Sequence, residues 1–519
     1  MNADDASRKL RHMNMTTTIH LSAIKPSIIL LICACFWAPS SVKAGDSLKT
    51  DVQRITAEVE EGLAPSYILE GVNDQQKHWG ILERMDYWHV PGVSVAVINH
   101  GKIEWAKGYG EAEAGGRAVG KETIFQTGSL GKTVTAVTVL ALVDRGVLKL
   151  DRDVNDYLVS WHLPDTSVAE GEPVTLERIL NHSAGLTVHG FGGYDQDDSI
   201  PTLQQILNGE PPCNSGSVRI GWKPGSEWRY SGGGYIVAQQ IIGDVTGRPF
   251  LDVVKDLVLG PLGMSRTFYR ARLDKALMRD AAMGHTADGS MLSGGYRVMP
   301  EYGAGAGLWS TASDLARLGC SIMRARAGSG DEPITPGSVR SMLAARLGGY
   351  GLGVFVRGQG KEFEFYHGGD NTGFHCFMIM FPELGQGAVI MTNGDHGTQL
   401  YDEILHGLAN AYDWPDLKTI RSAVVDVDSA RLSDLAGSYE VAGLGNVPLT
   451  LEDGQLHVPD ILGDGHAIPL YPVDSLIFVN PTYGWIFSFK RPASGTTADS
   501  IWTADVTFGV YHLSAAKVE

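Results

Sequence analysis

From Ser129 to Val143 the chain reads Ser-Leu-Gly-Lys-Thr-Val-Thr-Ala-Val-Thr-Val-Leu-Ala-Leu-Val, a long apolar run with no proline that stops at Gly146. A helix of this composition has no solvent face, so it is stable only when other elements cover it. That requirement points to a large layered domain rather than a small fold. The chain is long enough, since 519 residues hold two or three domains of ordinary size. Hydrophobic residues make up 43% and charged residues 19%, a globular balance. The 64 glycines fit a loop-rich enzyme better than a helical repeat, and no repeat of fixed period occurs.

Elements flank this run on both sides. Asp46 to Gly62 and Gln75 to Tyr87 read as amphipathic helices. Val93 to Ile98 and Ile103 to Tyr109 read as a hairpin around Asn99-His100-Gly101-Lys102. Tyr235 to Val245 predicts a further helix, and Leu400 to Tyr412 another. Gly351 to Val356, Phe363 to Tyr366, Phe374 to Phe381 and Ala388 to Thr392 predict strands. Trp414 to Asp428 reads as a linker, after which short alternating strands follow with no helix, as in Val447-Leu449-Leu451 and Trp485 to Phe489. This predicts a small antiparallel barrel or sandwich.

The N-terminus predicts export. Arg8, Lys9, Arg11 and Lys25 precede the apolar run Ile28 to Ala38, and Val42 and Ala44 offer a small-residue cleavage site. The run is short for a bilayer, which favours cleavage after Ala44 over a stable membrane span and places the mature protein in the periplasm or outside the cell. Cys35 offers a weaker lipoprotein reading. Three cysteines remain, Cys213, Cys320 and Cys376, so at most one disulfide can form. The net charge of −17, without a basic run, argues against nucleic-acid binding.

Chemistry enters at Ser129-Leu130-Gly131-Lys132. A serine hydroxyl is a weak nucleophile until a base takes its proton. A lysine three residues on along a helix lies one turn away on the same face, and partial desolvation lowers its pKa enough to make it that base. The spacing also occurs at Ser22/Lys25, Ser40/Lys43 and Ser514/Lys517, but only Ser129 opens a buried helix. The bland alternative is an N-cap serine beside a solvated lysine. A second feature is Tyr230, in Trp228-Arg229-Tyr230-Ser231-Gly232-Gly233-Gly234-Tyr235 just before a helix. A phenol beside an ammonium can have a depressed pKa and relay protons, although a lone tyrosine is more often a packing residue. A third is His367-Gly368-Gly369-Asp370-Asn371-Thr372-Gly373-Phe374 between two strands, where glycines admit a substrate close to backbone N–H groups.

In order and spacing these three features resemble the serine β-lactamase and penicillin-binding-protein superfamily. Within it they resemble the class C-related branch of D-aminopeptidases, carboxypeptidases and carboxylesterases. Accessory stretches add to the resemblance, among them His89-Val90-Pro91-Gly92, Leu180-Asn181-His182-Ser183-Ala184-Gly185-Leu186 and Pro261-Leu262-Gly263-Met264. The likeness implies an α/β (α+β) fold, an antiparallel sheet flanked by helices with a helical subdomain, followed by a β-barrel that often shapes access to the site. The expected boundaries are a signal peptide at 1–44, the hydrolase domain at 45–415, a linker at 416–431 and the barrel at 432–519. It implies Ser129 as the acylated nucleophile, with Lys132 and Tyr230 sharing proton transfer. The backbone N–H groups of Ser129 and Asp370 would hold the oxyanion. His367, Gly368, Gly369, Asp370 and Gly232 would face the substrate, and His182 would be a satisfied internal histidine.

Two departures stand out. Gly232 occupies the place of the family's substrate-contacting Asn, and His367-Gly368-Gly369 replaces Lys-Thr-Gly. A histidine, largely neutral at pH 7, holds a substrate carboxylate less firmly than lysine does. Both changes weaken the case for efficient penicillin hydrolysis and leave the nucleophile untouched.

Other chemistries fit poorly. Gln126 breaks the P-loop pattern that Gly131-Lys132-Thr133 mimics, no Gly-x-Ser-x-Gly elbow occurs, and no cysteine or histidine pair has metal spacing. The expectation is a hydrolase of amides or esters (D-amino-acid peptides, acyl esters or β-lactams) without metal or cofactor. Its partners would be small-molecule or peptide substrates, with homo-oligomers a possibility. The alternative from another class is a non-catalytic penicillin-binding or peptidoglycan sensor.

Overall fold

Strand Phe374–Phe381, Phe-His-Cys-Phe-Met-Ile-Met-Phe, has every residue buried. Such a strand must be covered on both faces, and the architecture does this. The computed structural model describes residues 44–73, 78–441, 445–460, 465–491, 502–508 and 511–518. Apart from Ala44, the expected signal segment lies outside the described residues.

Six strands form an antiparallel sheet: β1 (Gly92–Asn99), β2 (Lys102–Gly110), β3 (Phe355–Arg357), β4 (Glu364–Asn371), β5 (Phe374–Phe381) and β6 (Gln386–Thr392), in spatial order β2-β1-β6-β5-β4-β3. The alternation of β1 sends Val93, Val95 and Val97 to one apolar cluster and Ala96 and Ile98 to another, as a period of two requires. Four helices complete the frame: α1 (Gly131–Asp144), α2 (Gly232–Thr246), α3 (Ala312–Arg326) and α4 (Gly397–Tyr412). Helix α3 packs on one face of the sheet and α4 on the other. Helices α1 and α2 belong to the cluster on the α3 side.

Helix α1 is buried from Gly131 to Leu142. Its threonines are satisfied there: the Thr133, Thr135 and Thr138 hydroxyls donate to the carbonyls of Gly353, Gly303 and Val134 at 2.8, 2.8 and 2.9 Å. Unpaired, each would cost about 1–3 kcal/mol. Helix α2 starts sharply because the Ser231 hydroxyl accepts from Gly234 N–H at 3.0 Å, and it ends at Gly247 in the left-handed region.

The C-terminal strands close into an eight-stranded barrel: β7 (Gly437–Val441), β8 (Gly445–Glu452), β9 (Gln455–Pro459), β10 (Ala467–Asp474), β11 (Ile477–Asn480), β12 (Trp485–Lys490), β13 (Thr503–Phe508) and β14 (Tyr511–Lys517). Trp485, Phe487 and Phe489 alternate into its core. The order is that of the chain, so β14 also pairs with β7.

The structure corrects several expectations. Ser129 lies in a short 3-10 turn, Gly128–Leu130, that precedes α1. Residues 351–354 are not strand, and the His367 motif lies mostly within β4 rather than between strands. The linker opens on Trp414, which is fully buried against Phe381, and Ile420–Ser422 pairs in parallel with Tyr67–Leu69. A helix, Ser429–Leu435, precedes the barrel and buries Leu432 and Leu435 in its core. The helix expected from Gln75 begins at Ile81, with residues 74–77 outside the described set. Cys213, Cys320 and Cys376 are free.

Candidate active site

Three glycines set the backbone around Ser129. A Cβ on Gly369 would lie 1.9 Å from the Thr127 carbonyl oxygen and 3.0 Å from Ser129 N. Gly128, at φ +51°, would meet Asp370 N at 2.5 Å, and a Cβ on Gly131 would lie 2.4 Å from Gly305 Cα. The turn bearing Ser129 is therefore pressed directly onto β4. Strand β3 pairs with β4 only as far as Tyr366, so beyond it the edge of β4 meets this turn instead of another strand.

Lys132 Nζ lies 2.9 Å from Ser129 Oγ and 3.0 Å from the Ala304 carbonyl. The contact of Gly131 with Gly305 brings that carbonyl within reach. Burial lowers the Lys132 pKa to about 7, with Asp370 pulling weakly the other way. Near neutrality, half of the amine is thus free to accept a proton. Tyr230 lines the same cavity as Ser129, and Lys132 Nζ sits 4.8 Å from the Tyr230 ring centroid. The phenol pKa is raised, not depressed: burial outweighs the opposing influence of the Ser129 hydroxyl. Tyr230 is therefore a neutral donor, which corrects the expectation of an acidified phenol.

His367 is also neutral. Burial, and secondarily Lys132, push its pKa down to about 4. Its Nδ1 bonds the Gly368 carbonyl at 2.5 Å and its Nε2 pairs with the Tyr350 hydroxyl at 2.8 Å. The carbonyl can only accept, so Nδ1 carries the hydrogen and Tyr350 donates to Nε2. His182 is half satisfied rather than fully: Nδ1 accepts from Ser231 N–H at 3.1 Å, while Nε2 has no partner among the described residues. Its ring lies 4.1 Å from that of Tyr230, so it serves as packing for the tyrosine.

Ser129, Lys132, Tyr230, His367, Gly368 and Asp370 line one cavity of about 320 Å³. Gly369 packs behind it. Gly232 does not reach it; it is buried at the start of α2, donating to the His189 carbonyl at 2.9 Å. A Cβ there would meet the Phe191 ring at 3.0 Å, and Phe191 lines the cavity. The glycine thus makes room for an aromatic wall. Phe191, Met299, Phe355 and Leu513 escaped sequence reasoning. Phe191 and Met299 lie in loops, where apolar residues carry no periodic signal, Phe355 opens β3, and Leu513 comes from the barrel.

Behind β4 sits a group the motifs did not reveal. His375 Nδ1 donates to Asp370 at 2.6 Å, and its Nε2 lies 3.8 Å from Asp395. Asp395 in turn accepts from Gly373 N–H at 2.6 Å. The two carboxylates overcome burial and raise the His375 pKa to about 9, so an imidazolium ties Asp370 to the turn after β4. Among the described residues no group of three or more metal-ligating side chains occurs, and no helix is long and apolar enough to cross a membrane.

Residues 81–412 match the beta-lactamase family. Among curated relatives, the unguisins hydrolase ungD' of Aspergillus campestris is 29% identical over 346 residues, which are 60% of this chain and 60% of the relative. Penicillin-binding protein 4 of Amycolatopsis lactamdurans is 26% identical over 393 residues, 70% of this chain and 98% of the relative. Among solved structures, the octameric penicillin-binding protein homologue from Pyrococcus abyssi aligns with a TM-score of 0.56 at 22% identity, covering 84% of this chain and 98% of the other. The D-amino acid amidase from Ochrobactrum anthropi SV3 aligns at 0.54 with 20% identity, covering 69% and 99%.

Proposed function

The chain belongs to the beta-lactamase family, and from that premise we propose that it is a serine hydrolase that cleaves amide or ester bonds through an acyl-enzyme on Ser129. The observation that carries this is the buried Lys132 amine 2.9 Å from Ser129 Oγ, with its pKa lowered to about 7. Ser129 attacks a carbonyl carbon as Lys132 takes its proton. The oxyanion settles on the N–H groups of Ser129 and Asp370, and loss of one such donor costs about 10²–10³ in kcat. Tyr230, neutral and lining the same cavity as Ser129, relays the proton to the leaving group. Water then releases the acyl group by the reverse path.

The substrate carries no carboxylate beside the scissile bond. His367 is uncharged at pH 7, Lys132 is the one lysine or arginine among the described residues lining the catalytic cavity, and the Asp370 side chain is 53% exposed there. An anionic penicillin or a free D-Ala terminus therefore lacks a counter-charge. A neutral amide or acyl ester fits, in keeping with the relatives named as an unguisins hydrolase and a D-amino acid amidase. Export by the N-terminal segment belongs to the same proposal. So does self-association, prompted by the octameric archaeal homologue.

The test is intact-mass and turnover analysis with p-nitrophenyl esters, D-amino-acid amides and a fluorescent penicillin. Esters and amides should turn over and leave a transient acyl adduct on Ser129, with Ser129→Ala losing both. Stable labelling without turnover would instead favour the sensor reading.

A further inference from the structure

A second space adjoins the catalytic cavity. Beyond His189, Trp228 and Tyr230, which line both spaces, lies a second cavity of about 650 Å³. One wall is the loop Leu186–His189 with Glu227 and Arg229; the other is the outside of the barrel. The barrel wall is built from five consecutive strands, β12, β13, β14, β7 and, through Gly445, β8, which are neighbours in the closed order. Their outward-pointing residues there are Lys490, Thr503, Asp505, Ser514, Ala516 and Glu440, all exposed. Interfaces between domains of one chain are commonly more polar than permanent protein–protein interfaces. Here the seam stays open, and it carries charges of both signs: Lys490 pairs with Asp505 at 2.8 Å, and Arg229 with Glu227 at 2.9 Å.

The threshold between the two spaces is held in place. Val188 sits at φ +65°, a region that a β-branched residue rarely occupies. Gly233 N–H donates to the Val188 carbonyl at 3.0 Å and Gly232 N–H to that of His189 at 2.9 Å. Backbone held in such a conformation costs about 1–3 kcal/mol and persists where its surroundings fix it. The result is two adjoining chambers that share His189, Trp228 and Tyr230, the smaller one at Ser129 and the larger one against the barrel, each lined by both polar and apolar residues. Each volume lies within the ~300–1,000 Å³ typical of ligand sites.

We propose that the space between the hydrolase domain and the barrel is a substrate subsite, and that it takes the continuation of an extended peptide whose scissile carbonyl lies at Ser129. The inference rests on the acyl-transfer reading above and adds to it the class of substrate. A peptide suits the space chemically: its backbone offers donors and acceptors to a wall of mixed charge, while one apolar residue fills the inner chamber against Phe191, Phe355 and Leu513.

The experiment uses the full chain and two series of peptide amides with a common scissile bond. One series is lengthened residue by residue on the acyl side, the other on the leaving side. In one series kcat/KM should rise at least about tenfold over two to three added residues and then level off. Ala516→Trp and Thr503→Trp fill the cavity from the barrel side. Each should reduce the ratio of long- to short-substrate kcat/KM at least about fivefold, with thermal melts reporting that the variant is folded. A flat length dependence in both series overturns the subsite, as does a rise that survives both tryptophans. If wild type fails to turn over even p-nitrophenyl acetate, the acyl-transfer reading itself fails, and the two failures are thereby told apart.

Discussion

Lys132 and Asp370 set the pH behaviour. Because the active form of Lys132 is the free amine, kcat/KM should rise about tenfold per pH unit below pH 7 and level off above it. Asp370 raises the Lys132 pKa, so Asp370→Asn should move that limb to lower pH, as a pH–rate profile of the variant would show. His375 gives a separate signature in stability. Its pKa is raised to about 9 in the folded state, above an ordinary value near 6.5. Its contribution is thus fully present below pH ~6.5 and is lost as pH rises through about 9. His375→Gln should remove on the order of 2–3 kcal/mol at pH 6 and little at pH 10, measured by urea unfolding at both. It should also lower kcat more than it changes KM, since it positions Asp370 without touching substrate. Sequence reading found Ser129, Lys132, Tyr230 and His367 because each sits in a short pattern with its own chemistry. It could not find His375, whose partners Asp370 and Asp395 meet it only through the β4–β5 hairpin and the loop after β6.

Among the elements, the contact between the Gly128–Leu130 turn and β4 is the least tolerant. Gly369→Ala places a methyl 1.9 Å from a carbonyl oxygen, so the turn must move away from the strand. Esterase kcat should fall about a hundredfold or more, the scale of a lost oxyanion donor. Restoring the family asparagine should not restore the family activity. Gly232→Asn collides with Phe191, and hydrolysis of a chromogenic cephalosporin should stay at background. The long elements were legible because their apolar patterns were uninterrupted: β5 occurs where expected, and α1, α2 and α4 differ only at their ends. What was missed lay at junctions. Ser129 falls in a 3-10 turn because β4 crowds the backbone there, and that crowding is a tertiary fact.

For the whole molecule, the alternation left a barrel or a sandwich open and the resemblance implied a barrel near the site, while which of its outward faces meets the hydrolase domain was not legible. No local pattern tells which outward faces of a barrel meet another domain. Leu513 reaches the catalytic cavity from β14, so Leu513→Ala should shift preference several-fold toward longer acyl esters, read as the ratio of p-nitrophenyl butyrate to acetate turnover. Such a change removes a wall without altering the nucleophile or its base.

The bond-breaking groups lie in the hydrolase domain, while one wall of the proposed subsite lies on the barrel. On that proposal, variation confined to the exterior of those barrel strands should change which molecules are taken while the reaction stays intact. A randomised library over those strands alone is a direct route to altered specificity, because few of its members would forfeit activity.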